Sequence, residues 1–236
     1  RTWTVTDACG NSSSDDQVIT VADNTAPAAT CQDATIVISG TLANLTTADI
    51  DNNTTDNCSS VSLSLSKTVF TCANVGSNNV TLSATDGCGN TGTCAASVVV
   101  EDNSFPTAIC RGATVVLDAA GTGTVTAAQV NNGVNDNCGN PTMVVSPNTF
   151  TCADIGTNNV TLVATDVGGN SSSCFSQVTV EDNMAPNAIC QDITVQLDAA
   201  GNATITTADV DNGSNENCSL TYSISASGFT LSLIHI

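Results

Sequence analysis

The chain has 236 residues and a formal net charge of −19, with three Lys plus Arg against 22 Asp plus Glu. A chain this acidic has no cations to set against phosphate, which excludes nucleic-acid partners and anionic membrane surfaces. Its mean hydropathy of +0.13 is too apolar for disorder, yet no apolar run nears the roughly 18 residues of a membrane span.

Taken in chain order, the sequence repeats. Arg1 to Asn24 matches only the last quarter of a repeat, so 1–24 is expected to be the tail of a module. Complete modules of about 80 residues follow at 25–103 and 104–183, and 184–230 is the first half of another. Cysteines keep the register: Cys31, Cys110 and Cys190 recur, as do Cys58, Cys138 and Cys218, Cys72 and Cys152, and Cys94 and Cys174. The chain opens on Arg1 without a signal peptide and reads as a slice of a longer array. A third Phe-Thr-Cys triplet is due after Phe70 and Phe150, but Phe229-Thr230 runs into Leu231-Ser232-Leu233-Ile234-His235-Ile236. Those six residues match a translated sequencing adapter, so 231–236, with the sole histidine, are excluded from functional argument.

Within a module the apolar signal alternates with period two, as in Val80, Leu82 and Ala84. Short Val/Ile/Thr-rich runs separated by Gly, Asn and Asp predict strands near 34–38, 41–46, 60–66, 69–72, 79–85 and 94–100. One helical turn is expected at Thr47-Ala48-Asp49-Ile50. The fold class is all-β: tandem immunoglobulin-like antiparallel β-sandwiches, with Phe70, Phe150 and Phe229 as core anchors.

Twelve cysteines with no Cys-x-x-Cys point to disulfides and an oxidising, extracellular compartment. The four shared by both complete modules allow three pairings in each. The expected set is Cys31–Cys94 with Cys58–Cys72, and Cys110–Cys174 with Cys138–Cys152. Cys9 is expected to have its partner upstream, and Cys190 and Cys218 theirs beyond residue 230. Cys88, replaced by Gly168 in the next repeat, is left as a free thiol, an intermolecular link or a competitor for Cys94.

The order of Thr-Asp-x-x-Gly-Asn turns, mid-module Asp-Asn-Cys and a first-strand Cys after a Pro resembles hyalin-repeat (HYR) modules. Cys190-Gln191-Asp192-Ile193-Thr194-Val195-Gln196-Leu197-Asp198-Ala199 and Val180-Glu181-Asp182-Asn183-Met184-Ala185-Pro186 resemble the tandem repeats of giant adhesins of gliding bacteria (SprB-like). That resemblance implies a secreted or cell-surface chain with adhesive or stalk roles and no catalysis. Arg111-Gly112 departs from the Gln-Asp of the other repeats, so that pair marks no indispensable site.

Three acidic constellations suit calcium, a hard cation served by oxygen. The first is the linker, Asp23-Asn24, Glu101-Asp102-Asn103 and Glu181-Asp182-Asn183, with Asp7, Asp86 or Asp166 as a further carboxylate. It resembles the calcium-stiffened joints of cadherins, and turn chemistry before Pro explains the same residues without metal. The second is Asp49-x-Asp51-x-Asn53-x-x-Asp56, with Asp209, Asp211 and Glu216 in the third repeat but Gln129, Asn131 and Asp136 in the second. The third is the Thr-Asp-x-x-Gly-Asn turn, which Asp-to-amide bonds and a positive-φ Gly account for alone. No catalytic constellation stands out, and no residue is nominated as catalytic. The expected function is a spacer segment of an adhesin, whose partners are neighbouring modules and an extracellular glycan or protein. The alternatives are an array that binds glycan or protein directly and an accessory region of an extracellular hydrolase.

Overall fold

The computed structural model describes residues 1–58 and 60–230. The adapter reading of 231–236 therefore falls outside the described residues. The chain divides into two units, Arg1–Asn103 and Ser104–Ile236.

The first unit opens with a hairpin, β1 (Thr2–Thr6) and β2 (Ser12–Asp16), followed by β3 (Ala34–Val37), β4 (Leu42–Asn44), α1 (Thr47–Ile50), β5 (Ser62–Leu65), β6 (Val69–Thr71), β7 (Gly76–Thr85) and β8 (Thr91–Glu101). The four-stranded sheet runs β3-β8-β7-β5, and β4 pairs with β6 in a second, two-stranded sheet. Strand formation follows from side chains of alternating polarity, which satisfy a pleat with one wet and one dry face. In β7, Val80, Leu82 and Ala84 are buried while Thr81 is exposed.

One pairing departs from an antiparallel sandwich. β3 lies parallel to β8, with Ala34 beside Val98 and Ile36 beside Val100. Parallel neighbours need a long crossover, and the whole of β4 to β7 supplies it. The first and last strands of the module thereby lie side by side, which is where the Cys31–Cys94 disulfide forms, with a Cα–Cα distance of 5.8 Å. The core between the sheets holds Ile50, Phe70, Leu82 and Val98, all fully buried. Burying each such side chain contributes about 1.5–3 kcal/mol.

The second unit repeats this plan with β9 (Ala113–Val116), β10 (Thr122–Thr124), α2 (Ala127–Val130), β11 (Thr142–Ser146), β12 (Thr149–Thr151), β13 (Gly156–Thr165) and β14 (Ser171–Glu181). The large sheet is β11-β13-β14-β9, again with a parallel β14–β9 pair, and β10 pairs with β12. Val130, Phe150, Leu162 and Val178 fill its core, and Cys110–Cys174 ties first strand to last. Then come β15 (Asn202–Thr204), α3 (Thr207–Val210) and β16 (Gly228–Thr230). Phe229 is only half-buried here. Val195 is 41% exposed, whereas Val115 at the same place in the complete module is 3% exposed under β13 and β14.

Each helical turn is set by its sequence. Asp49 accepts hydrogen bonds from the Thr46 backbone N–H (2.8 Å) and hydroxyl (2.7 Å), closing the first turn as an N3 residue does. Gln129 does the same for Thr126 and Asp209 for Thr206. A glutamine serves as well as an aspartate in this role, which explains why the second repeat tolerates Gln129.

Candidate functional site

The Thr-Asp-x-x-Gly-Asn turn joins β7 to β8. Asp86 Oδ1 accepts the backbone N–H groups of Cys88 (2.9 Å) and Asn90 (2.8 Å), and Gly89 takes φ +93° to let the chain reverse. Asn90 then does two things with one amide. It donates to Asp86 Oδ2 at 2.8 Å and to the backbone carbonyl of Asp23 at 3.0 Å. The motif therefore folds its own turn and grips the linker that leads into its module. The second unit repeats the device, with Asn170 donating to Asp166 Oδ2 and to the carbonyl of Ser104. Asp86 is held below the ordinary carboxylate range, chiefly by the Asn90 side chain and then by the backbone amides.

That grip brings acids together. Carboxylate oxygens of Asp23, Asp56 and Asp86 lie within 4.8 Å of one another. Asp23 Oδ2 is buried and has no hydrogen-bond partner, an uncommon state for a buried polar atom. In the second unit Asp182, Glu216 and Cys218 converge within the same distance, and Glu216 Oε1 is likewise buried without a partner. Asp182 and Glu216 stand in their repeat where Asp23 and Asp56 stand in theirs. The Asn217 amide crosses this second joint, donating to Asp182 Oδ1 (3.2 Å) and the Asp118 carbonyl (3.0 Å).

Of the linker residues singled out from sequence, the aspartates turn inward and their neighbours do not. Asp102 is 3% exposed, and Asp182 is half-buried in the Glu216 cluster. Glu101 and Glu181 end their strands on the exposed face, where each accepts from Asn103 (3.3 Å) or Asn183 (3.4 Å). Asp166 is occupied as a turn acceptor. In the Asp49-to-Asp56 loop, Asp49 caps α1 and Asp51 accepts from the Thr54 N–H (3.1 Å), so only Asp56 joins an acidic cluster. The signal for Asp23, Asp56 and Glu216 was their recurrence beside the linker and beside the mid-module Cys.

The disulfides need two corrections. Cys58–Cys72 does not form, because Cys58 is a free thiol while Cys72 is oxidised. Cys138–Cys152 does not form: Cys152 bonds to Cys218 of the next repeat, with a Cα–Cα distance of 5.4 Å, so Cys218 has its partner here. Cys72 and Cys138 are themselves oxidised. The sequence argument assumed that a module's four cysteines pair among themselves, whereas the turn after β12 abuts the following repeat's Asn217-Cys218 loop. Cys9, Cys58, Cys88 and Cys190 are free and exposed.

A further surface was not foreseen. On the outer face of the second unit's sheet, Val144 opposes Val163, and Phe175 opposes Thr161 one step along. Their exposures are 67%, 38% and 80%. The first unit has Ser64, Ser83 and Ala95 at these places.

No family model matches the chain, and no curated protein matches it. Among solved structures it is similar to the first two extracellular domains of human mucin-like protocadherin, at 9% identity and TM-score 0.34, over 66% of this chain and 98% of that one. It is also similar to the first two domains of human protocadherin-24, at 14% identity and TM-score 0.32, over 68% of this chain and all of the other. An endo-fucoidan hydrolase of glycoside hydrolase family 107 aligns at 14% identity and TM-score 0.26, over 78% of this chain and 34% of the enzyme. At such scores the likeness says nothing of ligand or activity. Disulfides of this number belong to a compartment that oxidises thiols. Among the described residues, no helix is long and apolar enough to cross a membrane.

Proposed function

We propose that the chain is a run of non-catalytic spacer modules from a secreted or cell-surface adhesin of the hyalin-repeat kind. Its joints are stiffened by calcium held between a linker aspartate and the module that follows. The observation that carries this reading is the Asp23–Asp56–Asp86 cluster with its buried, unpartnered Asp23 Oδ2. Carboxylate oxygens crowded with no cation of their own are costly, and the donor set is all oxygen, which suits calcium. The Asp182–Glu216 pair offers the same chemistry, since the Cys218 sulfur is spent in a disulfide. When bound, the ion would neutralise the cluster and join linker to module through Asp23 or Asp182.

The test is thermal melting of the whole chain in chelator and then in calcium. At the millimolar-range affinities of extracellular sites, 10 mM calcium adds about 1.4–2.7 kcal/mol, read as a rise of several degrees. An unchanged melting curve removes calcium from the account. The Val144–Val163–Phe175 face supports a second reading, direct contact with an uncharged glycan or protein partner. Phe175→Ser would then abolish adhesion while leaving melting unchanged.

A further inference from the structure

We infer that the Cys152–Cys218 bond makes the module boundary a covalent step that limits how far the chain can be drawn out under load. The inference rests on disulfide connectivity and is independent of calcium.

The joint is built around this bond. Gly121 sits against it with φ +70°, and a Cβ there would lie 2.7 Å from Cys152 Sγ and 2.8 Å from the Asn217 carbonyl oxygen. Only glycine fits both the backbone conformation and the space. The Asn217 amide holds the next repeat's loop to the Asp118 carbonyl and to Asp182. Cys152 thus leaves one module at the turn after β12, and Cys218 receives it in the loop of the next.

Tension follows the shortest covalent path. From Ser104 it runs about six residues to Cys110 and crosses to Cys174. It then runs back about 22 residues to Cys152, crosses to Cys218, and continues about 12 residues to Thr230. At about 3.5 Å per residue, these roughly 40 residues cap the extension near 14 nm even if every strand is pulled apart. With Cys110–Cys174 alone the path would hold roughly 62 residues, near 22 nm. An intramodular disulfide limits each module singly. The step from Cys152 to Cys218 couples neighbours, so slack in one cannot be released without the other. Cys72 and Cys138, both oxidised, stand 80 residues before Cys152 and Cys218. A tether made this way carries load without paying out length, and becomes extensible when thiols are reduced.

The experiment is force–extension of the full oxidised chain in chelator, with handles attached at Ser104 and Thr230 by chemistry that spares cysteine. The parent should reach a final contour near 14 nm, and Cys152→Ser with Cys218→Ser should lengthen it by about 8 nm. Non-reducing mass mapping of the variant must show Cys110–Cys174 retained, so that the added contour reads the loss of Cys152–Cys218 alone. Equal contour lengths for parent and variant would overturn the inference. So would a Cys138–Cys152 peptide in non-reducing mass mapping of the parent.

Discussion

Asn90→Ala tests whether the Thr-Asp-x-x-Gly-Asn turn is the fastening between linker and module. The substitution removes two hydrogen bonds, a charge-assisted one to Asp86 at 2.8 Å and a neutral one to the Asp23 carbonyl at 3.0 Å. The former is worth about 1.5–3 kcal/mol and the latter about 1 kcal/mol. Allowing for water that replaces part of the loss, a net cost of about 2–3 kcal/mol is expected. For a module of about 80 residues this lowers the melting temperature by roughly 10 °C or more. The acid limb should move as well. Asp86 is held below its unfolded value chiefly by Asn90. Its contribution is therefore fully present above the ordinary carboxylate range and is lost as pH falls through the lower folded value. Removing the amide narrows that gap, so acid unfolding should begin at higher pH. The control is Asn11→Ala, which removes the like bond to Asp7 Oδ2 in the exposed β1–β2 hairpin and should leave the module's melting unchanged. A loss below about 1 kcal/mol for Asn90→Ala, or an equal loss for Asn11→Ala, would refute the fastening role.

Other outcomes follow from the same structure. Leu162→Ala, at a fully buried site in the second core, should cost about 2–5 kcal/mol in urea unfolding. Cys110→Ser with Cys174→Ser opens a loop closed across 64 residues and should cost about 4 kcal/mol by the chain-entropy relation. Gly121→Ala should lower the yield of the Cys152–Cys218 peptide in non-reducing mass mapping, because its Cβ collides with the bond itself.

Much of the fold was legible because local chemistry decides it. The period-two runs located every strand of the first complete module, and Thr47–Ile50 forms its single turn where Thr46 and Asp49 dictate. Cys31–Cys94 and Cys110–Cys174 followed from a first strand lying against a last one. The rest depends on contacts that no local pattern encodes. The parallel β3–β8 pairing is set by a crossover, and Phe175 resembles the core phenylalanines until its register places it outward. The Cys152 partner lies 66 residues on, nearly the spacing of an intramodular bond. Asp49 and Asp51 had the spacing of a calcium loop, yet their oxygens are spent on α1 and the turn after it.

Isothermal titration of calcium into the full chain, beside Asp56→Asn and Glu216→Gln, tests the central claim most directly. Saturable binding in the 0.1–1 mM range typical of extracellular modules is expected, weakened at one joint by each substitution. No heat of binding to the parent, or parental binding retained by both variants, would contradict it.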